Sequence, residues 1–135
     1  MAVLAKSTRA SMDATTGMIA PQISGLIAGA AIPALAFCYI KAADGKAYPC
    51  DTTAADEKAQ LAGLCPRAAN AGEPVTLFGL GVVFKYSDGL MTPGARYFLD
   101  VAANAGGLNT VATIGDGVGK VQAISASAAR IVAPI

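Results

Sequence analysis

The chain has 135 residues, of which 54% are hydrophobic and 14% charged, with a net charge of +1. That length is one domain, able to bury an independent core, and the composition is far from a disordered one. So few charges leave much of the folded surface apolar, which points to an interaction surface, an oligomer or a larger assembly. The ten basic residues are scattered, with no basic cluster or aromatic platform, so nucleic-acid binding has no support. Histidine is absent, which removes the commonest general base and metal ligand.

Residues 1–13 carry Lys6, Arg9 and Asp13 among small side chains, and no charge follows until Lys41. Residues 26–40 are apolar, but the run is shorter than a membrane span and Pro33 interrupts it. It also begins too late, after Asp13, for a signal peptide. The stretch divides into an extended N-terminal arm over residues 1–22, an early strand or apolar link over 23–32, and a strand over 37–41. Val3, Leu4, Met12, Met18 and Ile19 are too sparse and irregular to build a core element. With Ile23 they are the candidate partner-binding residues, on an arm expected to be mobile alone and ordered when docked.

Ala43-Asp44-Gly45-Lys46 reads as a hairpin turn. A two-residue loop would set Tyr39 opposite Cys50 and put Cys38 and Cys50 on opposite faces; a three-residue loop would put them on one face. The polar stretch 51–60 is a surface loop or one capped helical turn using Thr53 with Asp56 or Glu57. Residues 61–68, containing Cys65-Pro66, read as a short edge strand, since proline removes a ladder donor.

The chain is organised around residues 72–100. Residues 75–86 have strand composition, with Phe78, Leu80, Val82, Phe84 and Tyr86 on a core face and Gly79 and Gly81 on the other. Strand glycines mark a bulge, a sharp bend or close backbone approach, here curvature of a barrel or, as the alternative, a subunit contact. Ser87-Asp88-Gly89 is a turn. Thr92-Pro93-Gly94 has type II chemistry, with glycine at the third position. Residues 95–101 alternate as a half-buried strand. Residues 104–109 form a Gly-Gly turn, 110–114 a weak strand, and 118–125 with 129–133 a closing strand pair. The expectation is an all-β fold, a small antiparallel barrel or sandwich over residues 23–135.

Chemistry finds little footing. Gly115-Asp116-Gly117-Val118-Gly119 and Gly79-Leu80-Gly81 lack the helix a dinucleotide loop requires, and no Walker A sequence occurs. The Asp-Gly pairs at Asp44, Asp88 and Asp116 are turns rather than a calcium loop. Cys38, Cys50 and Cys65 are odd in number, without C-x-x-C spacing or histidine, so buried thiols are expected, with neither disulfide nor zinc. No catalytic site and no cofactor are expected.

The opening GEPV, the glycine-interrupted strand and GLMTPGARYFLD resemble small capsid decoration, or cement, proteins of tailed phages. The matching pieces are residues 71–83, 89–99, 106–110 and 118–135, with 36–48 fitting the family's first hairpin. Each motif consists of turn residues; their order and spacing carry the weight. The resemblance implies a virion protein without catalytic activity, made in the host cytoplasm and bound to the outer surface of the phage head. Its partners would be the major capsid protein and itself, as a homo-oligomer, a trimer at a local three-fold position. A head-fibre base or tail component is the structural alternative. A small ligand-binding or hydrolytic β-domain is the alternative from another class.

Overall fold

The computed structural model describes residues 3–132. Among the described residues, twelve strands fall in two antiparallel sheets, joined by one short α-helix and two 3-10 turns. The strands are β1 (Val3–Leu4), β2 (Ser11–Met12), β3 (Gln22–Ile27), β4 (Ala36–Ile40), β5 (Ala47–Pro49), β6 (Gly63–Cys65), β7 (Pro74–Phe78), β8 (Val83–Lys85), β9 (Arg96–Leu99), β10 (Leu108–Asn109), β11 (Val121–Ala123) and β12 (Ala128–Ile131), with helix α1 (Ala14–Ile19) between β2 and β3. The seven-stranded sheet runs β1-β10-β9-β11-β12-β8-β2 and the five-stranded sheet β3-β7-β6-β4-β5. The molecule is therefore all-β, as the turn spacing implied.

The main core lies between the sheets. Phe37, Tyr39 and Leu64 of the smaller sheet meet Phe84, Tyr86, Tyr97, Leu99, Leu108, Val121 and Ile131 of the larger. Phe37 and Phe84 pack edge to face, ring centroids 5.5 Å apart, the arrangement that sets a positive ring edge on a negative face. A second core sits on the other side of the small sheet, made of Ala28, Ile32, Ala36, Cys38, Ala47, Cys65, Ala69, Val75 and Leu77. The sheet curls round this cluster until Ala28, just past β3, bridges Ala47 on β5. The curl is narrow, so alanine and cysteine fill much of it. β4 and β6 are thereby buried on both faces and read as continuous apolar runs rather than alternating ones.

The organising stretch is two strands rather than one. It breaks at Gly79-Leu80-Gly81, where Gly81 takes φ 92°, a conformation glycine adopts without steric cost. β7 stays in the small sheet and β8 joins the large one. The buried face changes at this corner: Val75 and Leu77 point into the second core, Val82, Phe84 and Tyr86 into the main core, and Leu80 is exposed. The Thr92 turn forms as read, with Gly94 at φ 84° and Ala95 N–H donating to the Thr92 carbonyl at 3.0 Å.

Three other expectations are corrected. β6 lies between β7 and β4, and Pro66 falls just past its end, so the proline costs no ladder bond. In the first hairpin Tyr39 faces Tyr48 and Cys38 faces Pro49, with Gly45 N–H donating to the Lys41 carbonyl at 2.7 Å; the loop is longer by two residues than a two-residue turn. That even shift keeps Cys38 and Cys50 on opposite faces, in the second and main cores respectively. Residues 110–114 form no strand; the short β10 precedes them.

The N-terminal segment is extended over residues 3–13, yet it is a strap rather than a free arm. β1 pairs with β10 and β2 with β8, the two opposite ends of the large sheet. Leu4 is buried in the main core, because β1 directs it inward opposite Leu108. Residues 14–19 turn into α1, with Asp13 as N-cap, its carboxylate accepting from Thr16 N–H at 2.8 Å. Ala133 at the end of the expected last strand lies outside the described residues.

Candidate interaction edge

The six residues expected to meet a partner separate into two groups. Leu4 belongs to the core and is unavailable. Met12 is half-buried and packs against the main core, and Val3 is exposed on β1 at the far edge of the large sheet. Met18 and Ile19, 78% and 82% exposed, stand on α1, and Ile23 is exposed on β3. The Gly79 N–H donates to the Pro21 carbonyl at 2.8 Å, which brings the corner carrying exposed Leu80 beside the α1–β3 junction. Met18, Ile19, Ile23 and Leu80 thus border one edge, with no charged side chain between Asp13 and Lys41 along that chain.

This edge is shaped locally by the sequence. α1 is capped by Asp13, and its last turn ends when Ala20, with φ −69° and ψ 151°, leaves the helical region ahead of Pro21. The Gln22 side-chain amide donates back to the Gly17 carbonyl at 2.8 Å, fixing the helix against β3. β3 then runs as the outermost strand of its sheet, paired with β7 alone. Its register shifts between Ile23 and Leu26, where Gly25 sits at φ 83°. A bulge on an edge strand twists it away from continuous pairing. The edge therefore offers side chains more than an unbroken backbone ladder.

Alternation puts Leu80 on the core face, yet it is exposed, because the period of two does not survive the corner at Gly79–Gly81. A second exposed apolar group, Val111, Ile114 and Val118, was also missed. It lies on the loop held by Asp116, whose carboxylate accepts from the backbone N–H groups of Leu99 and Gly119 at 3.0 and 2.9 Å. The uncharged run 101–115 was its visible sequence signal.

The polar side chains inside the protein serve its loops. Buried Asp100 accepts from Val101 N–H at 2.8 Å and from the side-chain amides of Asn104 and Asn109 at 2.9 Å each. Buried Thr52 donates to the Leu99 carbonyl at 2.7 Å. Tyr86 accepts from Leu108 N–H at 3.0 Å, and burial pushes its hydroxyl up to about 12. All three cysteines are free thiols in the interior, and burial raises each of them. Among the described residues, no group of three or more His, Cys, Asp or Glu is placed to hold a metal ion, and no helix is long and apolar enough to cross a membrane.

One concavity stands out, an open groove of about 770 Å³ whose lining includes Met12, Pro66, Arg67, Pro74, Thr76 and Phe78. Its walls are mainly apolar. Glu73, also on its rim, spends a carboxylate oxygen on Asn70 N–H at 2.6 Å. No protein-family model matches the chain, and a search of curated proteins found no match.

Proposed function

We propose that the protein is a structural virion protein that decorates the outside of a tailed-phage head and stabilises contacts between major capsid proteins. The observation that carries the reading is the set of exposed apolar side chains Met18, Ile19, Ile23 and Leu80 along one edge of an all-β body. Side chains so exposed are costly to leave in water and gain about 25 cal/mol for each square ångström covered. The order and spacing of the turn motifs in residues 71–110 supply the link to decoration proteins.

The mechanism is mass action. A protein that binds the assembled shell, and not its separated subunits, stabilises the shell in proportion to the logarithm of its own concentration, about 2.7 kcal/mol at a hundredfold excess over Kd. A homo-oligomer touching several capsid subunits adds avidity without new contacts. The contact is apolar, so binding should depend weakly on salt.

Co-sedimentation with DNA-free, expanded heads of the phage that encodes the chain tests this reading. Saturable binding, accompanied by a rise in the temperature at which the heads disrupt, is expected. Absence of binding at micromolar protein would reject it. The groove beside Arg67 favours the second reading, a small ligand-binding β-domain. Thermal-shift screening with amphipathic carboxylates would bring that reading forward if one of them raised Tm at micromolar concentration.

A further inference from the structure

Two segments act as lids over the two cores. The strap, residues 3–13, lays Leu4 on the main core and is held by β1, β2 and the bond from Ser7 N–H to the Tyr86 carbonyl at 2.7 Å. The flap, residues 28–35, closes the curl of the small sheet with Ala28 and Ile32 and sets Leu35, at its end, into the main core, its backbone tied at Glu73, Ala47, Ala69 and Pro66. The segments are far apart in sequence, and one side chain joins them. Lys6 Nζ donates to the Ala34 carbonyl at 2.6 Å and to the Leu35 carbonyl at 3.3 Å. Its ammonium also stands 6.0 Å from the centroid of the Tyr86 ring.

Two features make this contact more than incidental. Leu35 sits at φ 53°, the one non-glycine residue among those described with a left-handed backbone. A leucine there is strained and persists only where its surroundings over-determine it. The Ala34 and Leu35 carbonyls that Lys6 binds belong to that strained turn. Lys6 is also half-buried, and the one ion pair among the described residues is Lys85–Asp88. A desolvated ammonium without a carboxylate must find its compensation in carbonyl dipoles and a ring face. Burial lowers its pKa, consistent with an enclosed site.

We infer that Lys6 is a latch coupling strap and flap, so that the lids of the two cores open together rather than one at a time. With the ammonium in place, lifting the strap strips the strained Leu35 turn of its compensation. The flap in turn cannot move without breaking the charged anchor that Lys6 makes to it. This is a conformational device within the fold and does not depend on what the exposed edge binds.

Native-state hydrogen exchange on the full chain and on Lys6→Met tests it. In the wild type, the amides of Ser7 and Asp13 on the strap and of Ile32 and Leu35 on the flap should exchange at matching opening free energies. Lys6→Met should raise both sets about tenfold and leave Val121 on β11 and Ala129 on β12 unchanged. Faster exchange in the strap alone would overturn the coupling, as would an equal rise across all strands. Acylation of the wild type gives an independent reading that needs no variant. With limiting acetic anhydride, the Lys6 amine should react at least tenfold more slowly than exposed Lys46 and Lys58. Equal reactivity would show that the latch is not closed.

Discussion

β3 and β4 are consecutive strands drawn from the same uncharged run, and they meet opposite fates. β3, QISGLI, is exposed along nearly its whole length; β4, AFCYI, is buried on both faces except at its last residue. Gln22, Ser24 and Gly25 make β3 the less apolar of the two, but Ile23, Leu26 and Ile27 are as apolar as anything in β4. Position in the sheet separates them: β4 is flanked by β5 and β6 and sandwiched between the two cores, whereas β3 is outermost. An exposed strand at an edge is a liability unless something covers it, so strands from one uncharged run yield core in one place and a candidate contact surface in the other.

The comparison breaks most sharply at Phe37. It is fully buried between the sheets and packs on Phe84, and Phe37→Ala should cost about 3–5 kcal/mol. Ile23→Ala on β3 should cost less than about 1 kcal/mol, because its side chain is already partly in water. Denaturant midpoints at constant m would measure both. Similar losses at the two positions would mean that β3 is covered in the isolated protein.

The strap sharpens the same contrast, since its residues also split into core and surface. Leu4→Ala should cost about 2–4 kcal/mol, from lost burial plus the cavity left among Tyr86, Leu108 and their neighbours. Deletion of residues 1–22 removes β1, β2 and α1 together and should unfold the domain at ambient temperature. A truncated protein that melts at the wild-type temperature would restore the free arm that the sequence suggested.

What the sequence made legible was local. The all-β class, the Thr92 turn, the strand read at residues 37–41 and found at Ala36–Ile40, and the buried thiols follow from turn chemistry, alternation and cysteine arithmetic acting over a few residues. The failures are non-local. Nothing in residues 75–86 says that the strand changes sheets at Gly79–Gly81; the glycines flagged a bend but not its destination. β6 read as an edge because Pro66 was counted inside it. Leu4 looked too isolated to matter because its partner, Leu108, lies at the other end of the chain. Asp13 has N-cap chemistry, but residues 14–19 show no apolar period to mark the helix that it starts. For the candidate edge, Met18, Ile19 and Ile23 are visible in the sequence as apolar residues in a stretch without charges, whereas Leu80 joins them only through the fold.

Alkaline pH probes the two cores rather than the edge. Tyr86 is raised to about 12 from an ordinary value of 10.0, and the buried thiols of Cys38 and Cys50 are raised from 9.0. Each of these groups holds its proton more tightly in the folded state. The stabilisation is complete below the unfolded pKa and is lost as pH rises, beginning near 9 for the thiols and near 10 for Tyr86. Lys6, lowered by burial, works in the opposite sense but is a single half-exposed group. Stability should therefore fall between pH 9 and 12, with Tyr86 contributing on the order of 2–3 kcal/mol. Thermal melts across that range should show it, and Tyr86→Phe should flatten the slope above pH 10. A melt independent of pH to 11 would mean that these groups are hydrated.

The smallest effect on stability belongs to the exposed edge, and it is the most telling for function. Met18 and Ile19 are four-fifths exposed on α1, so Met18→Asp with Ile19→Asp removes little buried area. α1 also begins at Asp13, which already places a negative charge near its first turn. Aspartate at the C-terminal end of the helix opposes the dipole, but over six residues that adds only a few tenths of a kcal/mol. The double variant should therefore melt within a few degrees of the wild type. Binding is another matter. If the edge is covered in the assembly, two carboxylates would be buried there without partners, at several kcal/mol each before relaxation. Affinity for phage heads should fall at least a hundredfold while the fold stands. The same substitutions at Val111 and Ile114, on the loop held by Asp116, are the control. Equal loss from both sites would make the docking surface larger than one edge. Loss from the loop alone would move it there, and full-strength binding by the α1 variant would remove this edge from the contact.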